Sequence, residues 1–138
     1  MALAVKVLDF TRVLAGPLSS MILGDLGAHV IKVERRHGGD ETRGWGPPFD
    51  ASGQSAYFLS VNRNKKSLGA DLDSPEDRAT VMGLLGEADI VIDNFLPGSL
   101  ARLGFDRERI LDEHPSLIWC TISGYGPGKR RPGYDFVT

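Results

Sequence analysis

The chain is poor in cysteine, in long apolar runs and in net charge. Its single cysteine, Cys120, excludes an internal disulfide framework and fits a reducing compartment. Cys120 falls in the apolar run 117–122, which predicts a buried strand position rather than a nucleophile. No apolar run reaches the roughly 18 residues that a membrane-spanning helix requires, and residues 1–4 are too few for the apolar region of a signal peptide. The sequence therefore predicts a cytoplasmic protein that does not enter a membrane. A net charge of −2, from 16 basic and 18 acidic residues, argues against a nucleic-acid partner, because such domains carry a clear basic excess.

Several catalytic signatures are missing as well. The turn after the first apolar run is Ala15-Gly16-Pro17, without the further glycines of a Gly-x-Gly-x-x-Gly fingerprint, which argues against a nicotinamide enzyme. There is no Gly-x-Ser-x-Gly elbow. His29, His37 and His114 stand alone, with no second ligand at metal spacing, so no metal site is expected. The segment 124–129 is too short for a phosphate loop, and Arg130 stands where Ser or Thr would hold magnesium.

What remains is ordinary globular material, 41% hydrophobic and 25% charged, in 138 residues. That length suits one small domain or one piece of a larger domain, since an open α/β sheet covered on both faces usually needs somewhat more chain. Residues 5–10 read as a strand. Pro17 at a first helical position then opens a helix carrying Leu18, Met21, Ile22 and Leu26, which Gly27 closes. The β-branched run 30–33 is the next strand. Residues 35–55 are rich in Gly and contain Pro47-Pro48 with no apolar period, which is long for a passive connector and points to a functional loop.

Residues 56–61 return to the core, and 68–72 read as a short strand. Ser74-Pro75-Glu76-Asp77 caps a helix whose buried stripe is Ala79, Val81, Met82 and Leu85. Residues 90–92 form a buried strand followed by Asn94-Phe95. A short helix carries Leu100 and Leu103, Asp106 caps another over 107–113, His114-Pro115 stops it, and 117–122 is a further core strand. The alternation predicts an α/β fold: a Rossmann-like, mostly parallel, doubly wound sheet with right-handed crossovers. Ligands should collect at the strand carboxyl ends, where the loops 11–17, 35 onward and 94–95 carry small, polar or cationic residues.

The basic clusters Arg35-Arg36, Arg63 with Lys65-Lys66, and Lys129-Arg130-Arg131 leave room for a discrete polyanion such as a phosphorylated cofactor. Asp9, Asp40, Asp93 and Asp135 lie near loops. An aspartate can act as a covalent nucleophile, but it is more often a cap or an ion-pair partner, and composition selects none of the four.

The motifs Asp9-Phe10-Thr11-Arg12-Val13-Leu14-Ala15-Gly16-Pro17, Gly24-Asp25-Leu26-Gly27-Ala28, Val30-Ile31-Lys32-Val33-Glu34, Gly39-Asp40-Glu41-Thr42-Arg43 with Trp45-Gly46-Pro47-Pro48-Phe49, Val61-Asn62-Arg63-Asn64-Lys65-Lys66-Ser67 and Gly133-Tyr134-Asp135 occur in this order. Together the series resembles the class III coenzyme A transferases, the family of formyl-CoA transferase, carnitine CoA-transferase and α-methylacyl-CoA racemase. The likeness is strongest to the branch that moves CoA between succinyl-CoA and other dicarboxylic acids.

The resemblance implies that residues 1–138 are the amino-terminal part of the family's large, CoA-binding domain, with the remainder of that domain absent. It implies acyl-CoA and a carboxylic acid as substrates, no metal, and an interlaced homodimer in the full-length form. Val13, Leu14 and Ala15 would line the pantetheine path, and Arg35 and Arg102 would contact the nucleotide and its phosphates, where planar guanidinium groups suit the oxygens. Ala70 falls where the family often has a leucine near the adenine. Asn94 and Phe95 offer a polar handle and an apolar face, and Lys129 and Arg131 are further candidates. The catalytic aspartate, which would form acyl-anhydride and aspartyl-CoA intermediates, is expected downstream of Thr138, so no catalytic residue is assigned within the chain.

Racemases of the family usually place a histidine where this chain has Tyr134. A phenol with a reference pKa near 10 is a poor base at neutral pH, which favours transfer over racemisation. A racemase-like enzyme and a noncatalytic CoA-binding or assembly module are the alternatives. On this reading the chain is a fragment with apolar surface left uncovered, and the isolated chain is expected to oligomerise.

Overall fold

The structure, a computed structural model, describes residues 3–126, 128, 129 and 131–133. Strands β1 (Lys6–Asp9), β2 (His29–Arg35), β3 (Lys65–Ala70), β4 (Ile90–Asp93) and β5 (Ile118–Thr121) form one parallel sheet in the order β3-β2-β1-β4-β5. The chain winds outward from β1 through β2 to β3, then crosses back to β4 on the other side of β1. That reversal opens a crevice at the carboxyl ends of β1 and β4, where open α/β sheets receive ligands. Helices α1 (Ala15–Asp25), α2 (Ala56–Ser60), α3 (Pro75–Gly86), α4 (Ser99–Arg102) and α5 (Arg107–Glu113) make the connections, with a 3-10 turn at Glu41–Gly44.

The strand pleat divides the core in two. Leu8, Phe10, Val33 and Val91 pack with Val81 and Leu85 of α3, Ile110 of α5 and Trp119 on one face. Val7, Val30 and Ile92 pack with Ala28 and with Leu23 of α1 on the other. Neighbouring residues of one strand, Val7 and Leu8 or Val91 and Ile92, thus serve opposite cores, as a period of two demands. The doubly wound arrangement expected from the sequence is the one observed.

Local signals explain most boundaries. Ser74 accepts from the Asp77 N–H and Pro75 takes the first position of α3. Asp106 accepts from the Arg109 N–H at the start of α5, which ends at Glu113 with His114 as its cap. Of the expected α3 stripe, Val81 and Leu85 are buried, Met82 is half-buried and Ala79 is exposed. Residues 56–60 return to the core as helix α2, capped by Ser55, and bring in Phe58 and Val61.

Three expectations are corrected. α1 begins at Ala15, so Pro17 is its third residue, still within the first turn where its missing N–H costs no helical bond. The early start follows from a left-handed Val13 (φ 72°) and from Gly16, where an added Cβ would lie 2.3 Å from the Thr11 Cβ. The third strand spans Lys65–Ala70 rather than 68–72, because Lys65 is itself drawn into the interior. Cys120 is exposed, not buried. β5 is an edge strand, and Ile118 and Cys120 alternate outward while Trp119 turns in.

Arg130, Tyr134 and Asp135, with the apolar 136–138 on which the expected oligomerisation partly rests, lie outside the described residues. Among the described residues no helix is long and apolar enough to cross a membrane.

Candidate functional site

Two different structures share the carboxyl edge of the sheet. On the α1 and α2 side lies a filled ionic cluster. One Asp9 oxygen accepts from the Thr11 N–H (2.8 Å) and hydroxyl, and the other accepts from the Ser20 hydroxyl and Lys65 Nζ (3.2 Å). Lys65 completes its donors on the Pro17 carbonyl (2.8 Å) and Asn62 Oδ1 (2.9 Å). Lys32 Nζ donates to the Thr11 carbonyl (2.6 Å) and pairs with Asp40 at 3.0 Å. Asp40 accepts from Thr42 N–H and hydroxyl and from the Val13 N–H (3.3 Å). Glu34 receives Arg43 through two nitrogens, the Asp40 N–H and the Ser67 hydroxyl.

These charges are tolerated inside because each is matched. An unpaired ion would cost several kcal/mol, roughly, in such surroundings. Burial opposes ionisation of Glu34, but the Arg43 guanidinium, with the Asp40 N–H and Ser67, outweighs it and holds the carboxyl at about 2. Burial likewise opposes the Asp40 carboxylate, and Lys32 and Thr42 together hold it below its usual range. For Lys65, burial dominates over the attraction of Asp9, and the ammonium is pushed down to about 8.

On the α3 and α4 side the edge is open. A cavity of about 390 Å³ has Phe10, Ala70, Leu72, Phe95 and Leu103 as apolar surfaces, Arg12 and Arg35 as cations and Asp71 and Asp73 as carboxylates, and the paired Lys32, Glu34 and Asp40 of the ionic cluster also reach its wall. It collects residues that follow β1, β2, β3 and β4, which only a parallel sheet brings to one rim. Arg36 at the same rim is committed to Asp77, which it meets at 2.5 Å. Arg35 is exposed and donates from Nε to the Gly39 carbonyl at 3.2 Å, leaving its terminal nitrogens for other acceptors. Flat apolar walls beside guanidinium groups suit a ligand with a planar base and anionic oxygens.

Of the residues singled out in the sequence, Arg35, Ala70 and Phe95 meet in this cavity. Asn94 acts behind it: its Oδ1 accepts from the Arg12 N–H (3.0 Å) and its Nδ2 donates to the Arg12 carbonyl (2.8 Å), tying the β4 loop to the β1 loop. Val13, Leu14 and Ala15 form the turn into α1, next to the cavity but not in its wall. Arg102 is exposed on α4 and bonds Ser99 (3.1 Å). Lys129 and Arg131 are exposed beyond β5, where the Arg131 guanidinium lies 4.8 Å from the Tyr125 ring centroid. None of these three lines the cavity.

A second cavity, of about 400 Å³, runs from Phe95 past Leu100 and Trp119 to Gly126 and Gly128, so Phe95 is a wall of both. Sequence reasoning passed over Arg12, Leu103 and the carboxylates Asp71 and Asp73. The one available signal was a cation two residues beyond a strand end, inside a turn. Among the described residues no cluster of His, Cys, Asp and Glu could hold a metal ion.

The model of the family described as CoA-transferase family III matches residues 4–138. The chain belongs to CoA-transferase family III. Among curated family relatives it is 49% identical over 136 residues to a human succinyl-CoA:glutarate CoA-transferase, covering 96% of this chain and 31% of that protein. It is 44% identical over 143 residues to a succinyl-CoA:mesaconate CoA-transferase of Haloarcula hispanica, covering 96% and 36%. Among solved structures, a CaiB/BaiF family protein from Brucella suis superposes with a TM-score of 0.89 at 47% identity, covering 96% of this chain and 36% of that one. The chain thus spans about a third of the length of the family III relatives it matches.

Proposed function

We propose that residues 1–138 form the amino-terminal part of the CoA-binding domain of a CoA-transferase. The enzyme would move CoA between an acyl-CoA, with succinyl-CoA as donor, and a carboxylic acid acceptor. The observation that carries this reading is the cavity at the carboxyl rim, where Phe10, Ala70, Phe95 and Leu103 adjoin Arg12 and Arg35, in a chain of this family. On this reading Ala70 and Phe95 receive the adenine, Arg35 binds phosphate, and Asn94 holds the β1 loop in place. Val13, Leu14 and Ala15 lead the pantetheine arm along the start of α1, while Arg102, Lys129 and Arg131 supply outer positive charge.

The reacting carboxylate belongs downstream of Thr138. Three of the loop-proximal aspartates support that assignment, because Asp9, Asp40 and Asp93 are each held by several hydrogen bonds. Asp9 and Asp40 are saturated as above. Asp93, buried, accepts from the Phe95 N–H, Trp119 Nε1 (2.8 Å) and the Thr121 hydroxyl (2.7 Å). We place the enzyme in the cytoplasm, in keeping with its single cysteine, as an interlaced homodimer.

Calorimetric titration of the chain with CoA tests the binding half of the proposal. Saturable one-site binding is expected, and no heat change across the titration would refute it. Exchange of label from succinyl-CoA into glutarate or mesaconate by the enzyme tests the transfer half, and retention of all label in succinyl-CoA would refute that.

A further inference from the structure

Arg12 is the anomaly of the site. The backbone around it is held from four directions: Asp9 accepts from Thr11, Lys32 donates to the Thr11 carbonyl, Asn94 bonds both the N–H and the carbonyl of Arg12, and Asp40 accepts from Val13. The side chain so presented lines the cavity, with its guanidinium carbon 5.6 Å from the Phe95 ring centroid. Its Nε is buried and has no hydrogen-bond partner among the described residues, while the buried ammonium groups of Lys32 and Lys65 meet two and three acceptors. Asp71 and Asp73 line the same cavity, yet neither pairs with it among the described residues. The buried N–H thus lacks an acceptor among the described residues, and a buried donor left unmet is costly.

We propose that Arg12 is a phosphate-binding residue that determines specificity: its guanidinium donates to a phosphoryl oxygen of the nucleotide carrier, against the face of Phe95. The proposal rests on the CoA-binding reading above and adds to it the residue that separates phosphorylated carriers from plain nucleosides. Two phosphoryl sources on CoA share this chemistry, the 3′-phosphate and the 5′-diphosphate.

The experiment is calorimetry of the wild-type chain, Arg12→Gln and Arg12→Lys with CoA, dephospho-CoA and adenosine. Loss of one charge-assisted, partly desolvated contact predicts CoA binding about 10- to 100-fold weaker in Arg12→Gln, partly restored in Arg12→Lys, with adenosine binding unchanged. A loss that vanishes with dephospho-CoA assigns the contact to the 3′-phosphate. A loss that persists assigns it to the diphosphate. Thermal melting of Arg12→Gln without ligand should stay close to wild type, because the substitution removes the contact with the Phe95 ring and no ion pair among the described residues. CoA affinity equal in wild type and Arg12→Gln, or an equal loss for adenosine, overturns the assignment while leaving the CoA site standing. Absence of CoA binding by the wild-type chain overturns both.

Discussion

Lys32 and Arg12 are both cations at the carboxyl edge of one sheet, and they live by opposite rules. Lys32, 1% exposed, is enclosed among Asp40 and the Thr11 carbonyl on the α1 side. Arg12, on the α4 side, has its backbone fastened at both ends and its buried Nε left without an acceptor. One side of the edge is therefore an ion-paired scaffold that reaches the cavity wall through Lys32, Glu34 and Asp40, and the other carries the apolar surfaces and the guanidinium that we propose receive the nucleotide. The hydrogen bonds beneath fix the turn that presents Arg12, and fixed donors of this kind are what the proposed phosphate contact requires.

The largest expected effect lies in the scaffold. Lys32→Met strands the Asp40 carboxylate in the interior and should cost about 3–5 kcal/mol of stability in denaturant melts, whereas Arg12→Gln should change stability by less than about 1 kcal/mol. Comparable losses for the two variants would erase the distinction between the sides.

A smaller effect belongs to pH. The Glu34 carboxyl sits at about 2 when folded, against an ordinary value of 4.5, so its stabilisation is complete above about 4.5 and is lost as pH falls towards 2. That window carries about 3 kcal/mol, and Glu34→Gln should flatten the acid limb of the stability curve. Lys65 acts in another range. Its folded value of about 8 lies below 10.5, so its burial penalty is constant below about 8 and is relieved as pH rises towards 10.5. An acid limb unchanged in Glu34→Gln would show that the Glu34–Arg43 pair is not the group that titrates.

The smallest effect is expected on the rim. Arg36 meets Asp77 with two nitrogens, but its side chain is 53% exposed, and Arg36→Ala should change stability least of these variants and less still in high salt. A loss as large as that of Lys32→Met would mean that rim pairs, too, are structural.

The scaffold and the receptor were unequally legible in the sequence. Helices α3 and α5 announce themselves through Ser74-Pro75 and Asp106, because caps are local chemistry. Arg35, Ala70 and Phe95 were reached through family motifs and do converge on one cavity. Lys65 hid the start of β3, since a lysine reads as surface until Asp9, 56 positions away, is known to receive it. Cys120 read as buried because an apolar run does not reveal whether its strand lies at a sheet edge. Arg12 was missed for the same reason. Its importance comes from Asn94, 82 residues on, and from a buried Nε without an acceptor among the described residues, neither of which periodicity encodes.

The most direct test of this two-sided edge is a crystal structure of the chain bound to CoA. The account predicts the nucleotide end of CoA in the cavity between Phe10, Arg12, Arg35, Ala70 and Phe95, a phosphoryl oxygen within hydrogen-bonding distance of Arg12, and the Lys32–Asp40 and Lys65–Asp9 pairs undisturbed. CoA seated at the opposite, amino-terminal rim, in the cavity lined by Lys6, His29 and Lys66, would contradict it.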